Sequence, residues 1–229
     1  MTANREKLAE RLRLYLICGE GDSPEETLRK TAAALAGGAT AVQLRVKSWT
    51  GRECYDTALA LKKICRVYGA PLLVNDRLDI ALAAGADGVH LGQKDLPIDA
   101  ARRLSGPDFI IGGTARTPAL AREAQRLGAD YVGCGAAFET ATKGDAVVIG
   151  PEGIKETLSA IDIPSVAIGG IELANVAGLA GCGCSGVSLS GAVMRARDPQ
   201  EAAAALIKEI DRSFGRRCAA PKKFIESWR

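Results

Sequence analysis

Eight short apolar runs recur along the chain, at 12–18, 41–46, 71–75, 88–91, 109–113, 131–135, 165–168 and 186–189. Each is rich in Val, Ile, Leu, Ala or Cys and bounded by Gly, Pro or Asp, as expected of a strand buried on both faces. Between them, apolar positions three and four apart predict helices over 24–37, 51–68, 77–84, 98–105, 117–127, 151–160, 172–180 and 198–213. Ser23-Pro24 and Thr117-Pro118 each set an N-cap residue before a proline suited to the first helical position.

A short turn repeats through this pattern. Gly38-Ala39-Thr40, Gly85-Ala86-Asp87, Gly128-Ala129-Asp130 and Gly183-Cys184-Ser185 each close a helix and open the second, fourth, sixth or eighth strand. Glycine provides the helix C-cap and the small residues after it make a tight entry into a buried strand. Four βαβα units in about 200 residues fit a closed barrel better than an open sheet, so the fold class expected is α/β, a single (β/α)8 barrel of the TIM type. Residues 1–214 form the expected catalytic domain, and 215–229 a basic C-terminal extension carrying Arg216, Arg217, Lys222 and Lys223.

Composition narrows the class. Hydrophobic residues make up 47% of the chain but aromatics only 4%, so aliphatic side chains must build the core. A net charge of +3 is too small and dispersed to point to nucleic acid. The seven cysteines sit mostly in apolar or glycine-rich stretches, where they pack as small hydrophobes. Cys182 and Cys184 have no second pair and no nearby histidine to complete a zinc site. With no long apolar span and no leader pattern, the expected compartment is the cytoplasm.

The chemistry gathers where the strands end, as it does in barrels of this kind. In Gln43-Leu44-Arg45-Val46-Lys47 the period of two sets an amide and two cations on one face and apolar residues on the other. A guanidinium and an ammonium at one strand end suit a phosphate or diphosphate; a solvated edge strand is the plainer reading. Asp76 follows Asn75 after the third strand, and Asp95 follows the fourth. Alone, these are a helix cap and a turn residue; together, beside Arg45 and Lys47, they form an oxygen donor pair for magnesium. Thr114 brings a hydroxyl to the mouth, where capping or packing would serve as well. The long loop after the sixth strand carries Thr140, Ala141, Thr142 and Lys143, suited to an anion or to an ordinary polar surface. Gly169-Gly170 and Ser190-Gly191 let backbone N–H groups approach a phosphate. His90 is the single histidine, which nearly excludes triads with a histidine base, and its place inside the fourth strand reads as a packed or hydrogen-bonded core residue.

Together these segments resemble the thiamine-phosphate synthase family. The likeness runs from about Tyr15 to Ala205, through Gln43-Leu44-Arg45-Val46-Lys47, Asn75-Asp76-Arg77, the Gly88 to Asp95 segment, the Gly133 to Lys143 loop, Ile168-Gly169-Gly170-Ile171 and Ser190-Gly191. The chain departs from the family pattern with Thr114 for Ser, Ala136 for Pro and Gly191 for Ser. The resemblance implies condensation of 4-amino-2-methyl-5-(diphosphooxymethyl)pyrimidine with 4-methyl-5-(2-phosphooxyethyl)thiazole, giving thiamine phosphate and diphosphate. It further implies Arg45, Lys47, Thr114 and Lys143 as catalytic residues, and Gln43, Leu44, Arg45, Val46, Lys47, Asn75, Thr114 and Lys143 as the pyrimidine diphosphate site. Thr140, Ala141, Thr142, Gly170, Ser190 and Gly191 would hold the thiazole phosphate, and Asp76 and Asp95 the magnesium ion.

Two rival readings follow the same residues. A thiazole tautomerase of this fold would not need the full set of cations and carboxylates, and a non-catalytic phosphate-binding barrel would release no diphosphate. The partners expected are two small phosphorylated substrates, without nucleic acid or membrane, and self-association is left open.

Overall fold

Within each strand, neighbouring side chains enter different environments, and this alternation organises the molecule. The computed structural model describes residues 2–139 and 147–215. The strands β1 (Leu14–Gly19), β2 (Ala41–Arg45), β3 (Leu72–Asn75), β4 (Gly88–Leu91), β5 (Ile110–Ala115), β6 (Tyr131–Gly135), β7 (Ser165–Ile168) and β8 (Gly186–Leu189) pair in chain order into a closed barrel. All pairings are parallel, and β8 returns to β1 with Tyr15 opposite Ser188. The expected (β/α)8 barrel is therefore the fold.

Leu16, Val42, Leu44, Val89, Val132 and Val187 face outward into an apolar layer shared with the helices. Tyr15, Ala41, Leu73, Tyr131 and Val166 face the axis and form, with Leu12, a smaller interior cluster. Leu8 of α1 (Thr2–Arg11) packs on that cluster, stoppering the end where the strands begin. Each fully buried aliphatic side chain stabilises the barrel by about 1.5–3 kcal/mol relative to exposure.

Helices α2 (Pro24–Ala36), α3 (Gly51–Tyr68), α4 (Leu78–Ala83), α5 (Ile98–Ser105), α6 (Pro118–Arg126), α7 (Gly150–Leu158), α8 (Gly191–Met194) and α9 (Pro199–Phe214) complete the outer layer. Ser23 and Thr117 cap α2 and α6 as the sequence predicts, accepting from Glu26 N at 3.2 Å and Leu120 N at 3.3 Å. No helix among the described residues is long and apolar enough to cross a membrane.

The repeated turn has a mechanical basis. Its third residue donates its backbone N–H to the preceding odd strand and accepts, through its side chain, the N–H of the same partner residue. Thr40 does this to Leu14, Asp87 to Leu72, Asp130 to Ile111 and Ser185 to Ser165, with side-chain distances of 2.9, 2.8, 2.7 and 3.3 Å. These four pairs of hydrogen bonds pin each odd strand to the next even one at the barrel's closed end.

Two helices escape the hydrophobic pattern. α1 lies ahead of the first predicted strand, outside the predicted helices, and α8 is a single turn too short for a periodicity to register. Conversely, the helix predicted over 172–180 is only a 3-10 turn, Val176–Leu179. Gly169 and Gly170 precede it with positive φ, Gly178 falls inside it and Gly181 follows it, which leaves no run long enough to propagate a helix.

Candidate active site

β2 delivers its polar face to the open end of the barrel. Gln43 is 3% exposed, and its Nε2 donates to Tyr15 Oη at 2.8 Å. Arg45, half-buried at the strand's last position, meets Glu20 Oε2 at 3.1 Å, and Lys47 lies exposed just beyond. Leu44 and Val46 turn to the helix layer, so at the mouth they can offer backbone only.

The next two strand ends bring two carboxylates together. Asp76 takes a left-handed backbone with φ of 62°, held by its N–H donating to His90 O at 2.9 Å. A non-glycine residue in that region is uncommon, and the turn aims Asp76 at its neighbour rather than into α4. Asp95 is anchored by Gly92 N–H at 2.7 Å on Oδ2, and a Cβ at Gly92 would lie 2.9 Å from that oxygen. The pair shares a hydrogen bond, and Asp76 is pushed up to about 6. Burial is the first cause, followed by the hydrogen bond and the like charge of Asp95; Lys47 and Arg45 pull the other way. Asn75, half-buried, ends β3 in register with His90.

Thr114 of β5 faces the same space, with Oγ1 3.0 Å from His90 Nε2 and its carbonyl accepting from Gln93 Nε2 at 2.6 Å. His90 is a core histidine in the sense the sequence predicts, but a connected one: its Nδ1 lies 2.9 Å from Tyr131 Oη, and Tyr131 meets Tyr15 at 3.0 Å. Burial raises both phenols, so they stay neutral hydroxyls. Burial likewise pushes the Cys18 thiol up to about 12 and Cys134 to about 11, which removes them as nucleophiles.

Across the barrel, Gly170 has φ of 63°, and a Cβ there would meet Glu139 O at 2.2 Å; only glycine lets the strand-6 loop approach so closely. Ser190 begins α8 without a side-chain capping bond, and the Arg195 guanidinium occupies the space that a Cβ on Gly191 would need, 2.2 Å from Nη2. Thr140, Ala141, Thr142 and Lys143 lie outside the described residues. The structure thus brings together Gln43, Arg45, Lys47, Asp76, Asp95 and Thr114 on the β2 to β5 side, with Gly170, Ser190 and Gly191 at the ends of β7 and β8.

Sequence reasoning passes over Tyr15, Tyr131, Glu20 and Arg195. The two tyrosines were legible as inward positions of β1 and β6 by the period of two. Glu20 and Arg195 carry no local signal, because their relevance comes from side chains folding back in space.

Comparison with known proteins gives a consistent picture. The family model described as thiamine monophosphate synthase matches residues 14–193. A thiamine-phosphate synthase of Methanobrevibacter smithii is 43% identical over 199 residues, covering 87% of this chain and 95% of the relative. One from Moorella thermoacetica is 48% identical over 191 residues, covering 83% and 91%. The solved thiamine phosphate pyrophosphorylase of Pyrococcus furiosus superposes with a TM-score of 0.84 at 39% identity, covering 91% of this chain and all of that one, 100%.

Proposed function

The chain belongs to the thiamine monophosphate synthase family, and we propose that its barrel mouth runs the family reaction by holding a departing diphosphate among fixed charges. It is a transferase of thiamine biosynthesis, joining a hydroxymethylpyrimidine diphosphate to a thiazole phosphate and releasing diphosphate. The finer assignments below are our reading of the site.

The bond that breaks joins the pyrimidine methylene to the diphosphate oxygen, which leaves with the electron pair. The bond that forms uses the lone pair of the thiazole nitrogen. No hydroxyl or amine has to lose a proton to become a nucleophile, so the site needs charge and orientation rather than a base. Arg45, Lys47, Asn75, Thr114 and Lys143 bind the diphosphate and neutralise it as it departs. Gln43 meets the pyrimidine, with the Leu44 and Val46 backbone beside it. Thr140, Ala141, Thr142, Gly170, Ser190 and Gly191 hold the thiazole phosphate.

Asp76 and Asp95 suit a magnesium ion. Two half-buried carboxylates, one of them held back from ionising by burial and then by its neighbour, form an oxygen-only pair that a divalent cation relieves, with water and phosphate oxygens filling its other positions. When bound, the ion would add positive charge against the leaving oxygens. The observation that carries the reading is the meeting of Arg45, Lys47, Asp76 and Asp95 at three successive strand ends. The free thiols Cys18, Cys54, Cys65, Cys134, Cys182 and Cys184 favour a reducing compartment, and we propose the cytoplasm.

The test is diphosphate release from the two substrates, with magnesium supplied and then chelated. Stoichiometric diphosphate and thiamine phosphate, lost on chelation, are expected. Turnover of the thiazole phosphate without diphosphate release would favour an isomerase, and binding without turnover a non-catalytic barrel.

A further inference from the structure

Five side chains from five strands form one line of hydrogen bonds from the barrel interior toward its mouth, buried at Gln43, Tyr15 and Tyr131 and half-buried at His90 and Thr114. Gln43 Nε2 donates to Tyr15 Oη at 2.8 Å, Tyr15 meets Tyr131 at 3.0 Å, Tyr131 meets His90 Nδ1 at 2.9 Å, and His90 Nε2 meets Thr114 Oγ1 at 3.0 Å. The barrel makes room for it. A Cβ at Gly112 would lie 2.2 Å from the Tyr131 ring, and one at Gly133 3.1 Å from His90 Cε1.

Proton accounting allows this line two polarities. Each phenol has one proton to give, a neutral imidazole has one N–H, and every link takes one proton. With the Gln43 amide donating, Tyr15 gives to Tyr131 and Tyr131 to Nδ1. The imidazole proton then sits on Nε2, gives to Thr114, and leaves the threonine proton aimed elsewhere. With the amide turned over, every link reverses: Thr114 gives to Nε2, the imidazole proton moves to Nδ1, and Gln43 accepts. Any mixture strands a buried phenol proton or sets two protons against each other, which is costly at such depth.

We infer that Tyr15, Tyr131 and His90 are positioning residues that tie the hydrogen-bonding face Gln43 presents to the one Thr114 presents. A hydroxyl donor at Thr114 goes with an amide acceptor at Gln43, and the reverse pair goes together too. The inference rests on the reading of Thr114 as a diphosphate contact. An anion there demands a donor, so the relay leaves Gln43 Oε1 as the face offered to the ring, which selects a pyrimidine bearing an N–H donor over its oxo counterpart.

His90 is the single histidine of the chain, so protein labelled with ¹⁵N-histidine reports its tautomer without assignment. In the ligand-free wild type the proton is expected on Nε2. Gln43→Glu, whose carboxylate can only accept, should move it to Nδ1 as that carboxyl ionises, although residues 43 and 90 do not touch and two phenols lie between them. Tyr131→Phe keeps the ring but cuts the line, so adding Gln43→Glu to it should leave the histidine spectrum as in Tyr131→Phe alone. An imidazole proton that stays on Nε2 in Gln43→Glu from neutral to alkaline pH overturns the relay, as does an Nδ1 switch that persists with Tyr131→Phe. Preference for the 4-amino over the 4-oxo pyrimidine diphosphate should fall about tenfold in Tyr131→Phe, in the range of one hydrogen bond. The spectra need no substrate: if they behave as expected while inorganic diphosphate fails to bind, the reading of the site falls and the relay stands.

Discussion

Asp76 and Asp95 stand on successive strand ends and share a hydrogen bond, with Asp76 raised to about 6 mainly by burial and then by its partner. A metal ion shared by the two needs both carboxylates ionised, so binding must displace a proton below that value. Magnesium affinity is expected to rise with pH up to about 6 and level off above it, with proton release confined to the acid side. Without metal the sign for stability is opposite to an ordinary salt-bridged aspartate. The folded value lies above the ordinary aspartate value of 3.8, so this group's contribution declines as pH rises from about 4 to about 6. Asp76→Asn and Asp95→Asn should each weaken magnesium dependence. Calorimetry of magnesium binding in buffers of different ionisation heat checks the proton count, and equal half-saturation in both variants and wild type would refute the metal assignment.

Arg45→Ala and Lys47→Ala are expected to cripple coupling while the barrel stays folded. Arg45 is half-buried against Glu20 and Lys47 is exposed, so neither truncation opens a core cavity. Each charge-assisted bond to a phosphate oxygen contributes about 1.5–3 kcal/mol, so kcat/KM for the pyrimidine diphosphate should drop roughly ten- to two-hundredfold per residue. Full activity, or loss of the cooperative unfolding transition, would contradict the assignment.

Lys143 and Thr142 adjoin in the strand-6 loop yet serve different substrates in this reading. Lys143→Ala should mainly impair use of the pyrimidine diphosphate, because an ammonium matters most where leaving-group charge develops. Thr142→Ala should mainly raise the requirement for thiazole phosphate, by about two- to tenfold for one neutral hydrogen bond. Kinetics with each substrate varied in turn decide the matter. Matching profiles for both variants would mean that the loop acts as a cover only.

Much of this architecture is legible in the order of residues. Gly88–Leu91, Tyr131–Gly135, Ser165–Ile168 and Gly186–Leu189 fall where the apolar runs predict, because parallel strands buried on both faces leave little else for such runs to do. Arg45, Lys47, Asp76 and Asp95 were legible as strand-end residues. Their meeting depends on the left-handed turn at Asp76, which no propensity announces. Leu44 and Val46 show the reverse: the motif draws attention to the whole pentapeptide, but the pleat sends alternate side chains to the helices. Tyr15 and Tyr131 read as core aromatics by type, and only closure of the barrel brings their hydroxyls together with His90.

The fourfold turn gives a prediction about stability that is separable from catalysis. Asp130 Oδ2 accepts from Ile111 N at 2.7 Å and from Arg102 Nη2 at 2.6 Å, whereas Ser185 Oγ accepts from Ser165 N at 3.3 Å without a charge. Asp130→Ala strands a strand N–H and removes a partner of Arg102, a loss of about 1.5–3 kcal/mol for a bond to a charged group. Ser185→Ala removes one long neutral bond, about 0.5–1 kcal/mol. Asp87→Ala, where Asp87 accepts from Leu72 N at 2.8 Å and Lys62 Nζ at 2.5 Å, should fall near Asp130→Ala. For a domain of this length each kcal/mol shifts Tm by about 2–4 °C. All three residues lie at the barrel's closed end, opposite the mouth, so KM for both substrates should hold while the midpoint of urea unfolding falls. Equal midpoints for Asp130→Ala and Ser185→Ala would show that the charge adds nothing to the turn, and a changed KM would show that the two ends of the barrel are not independent.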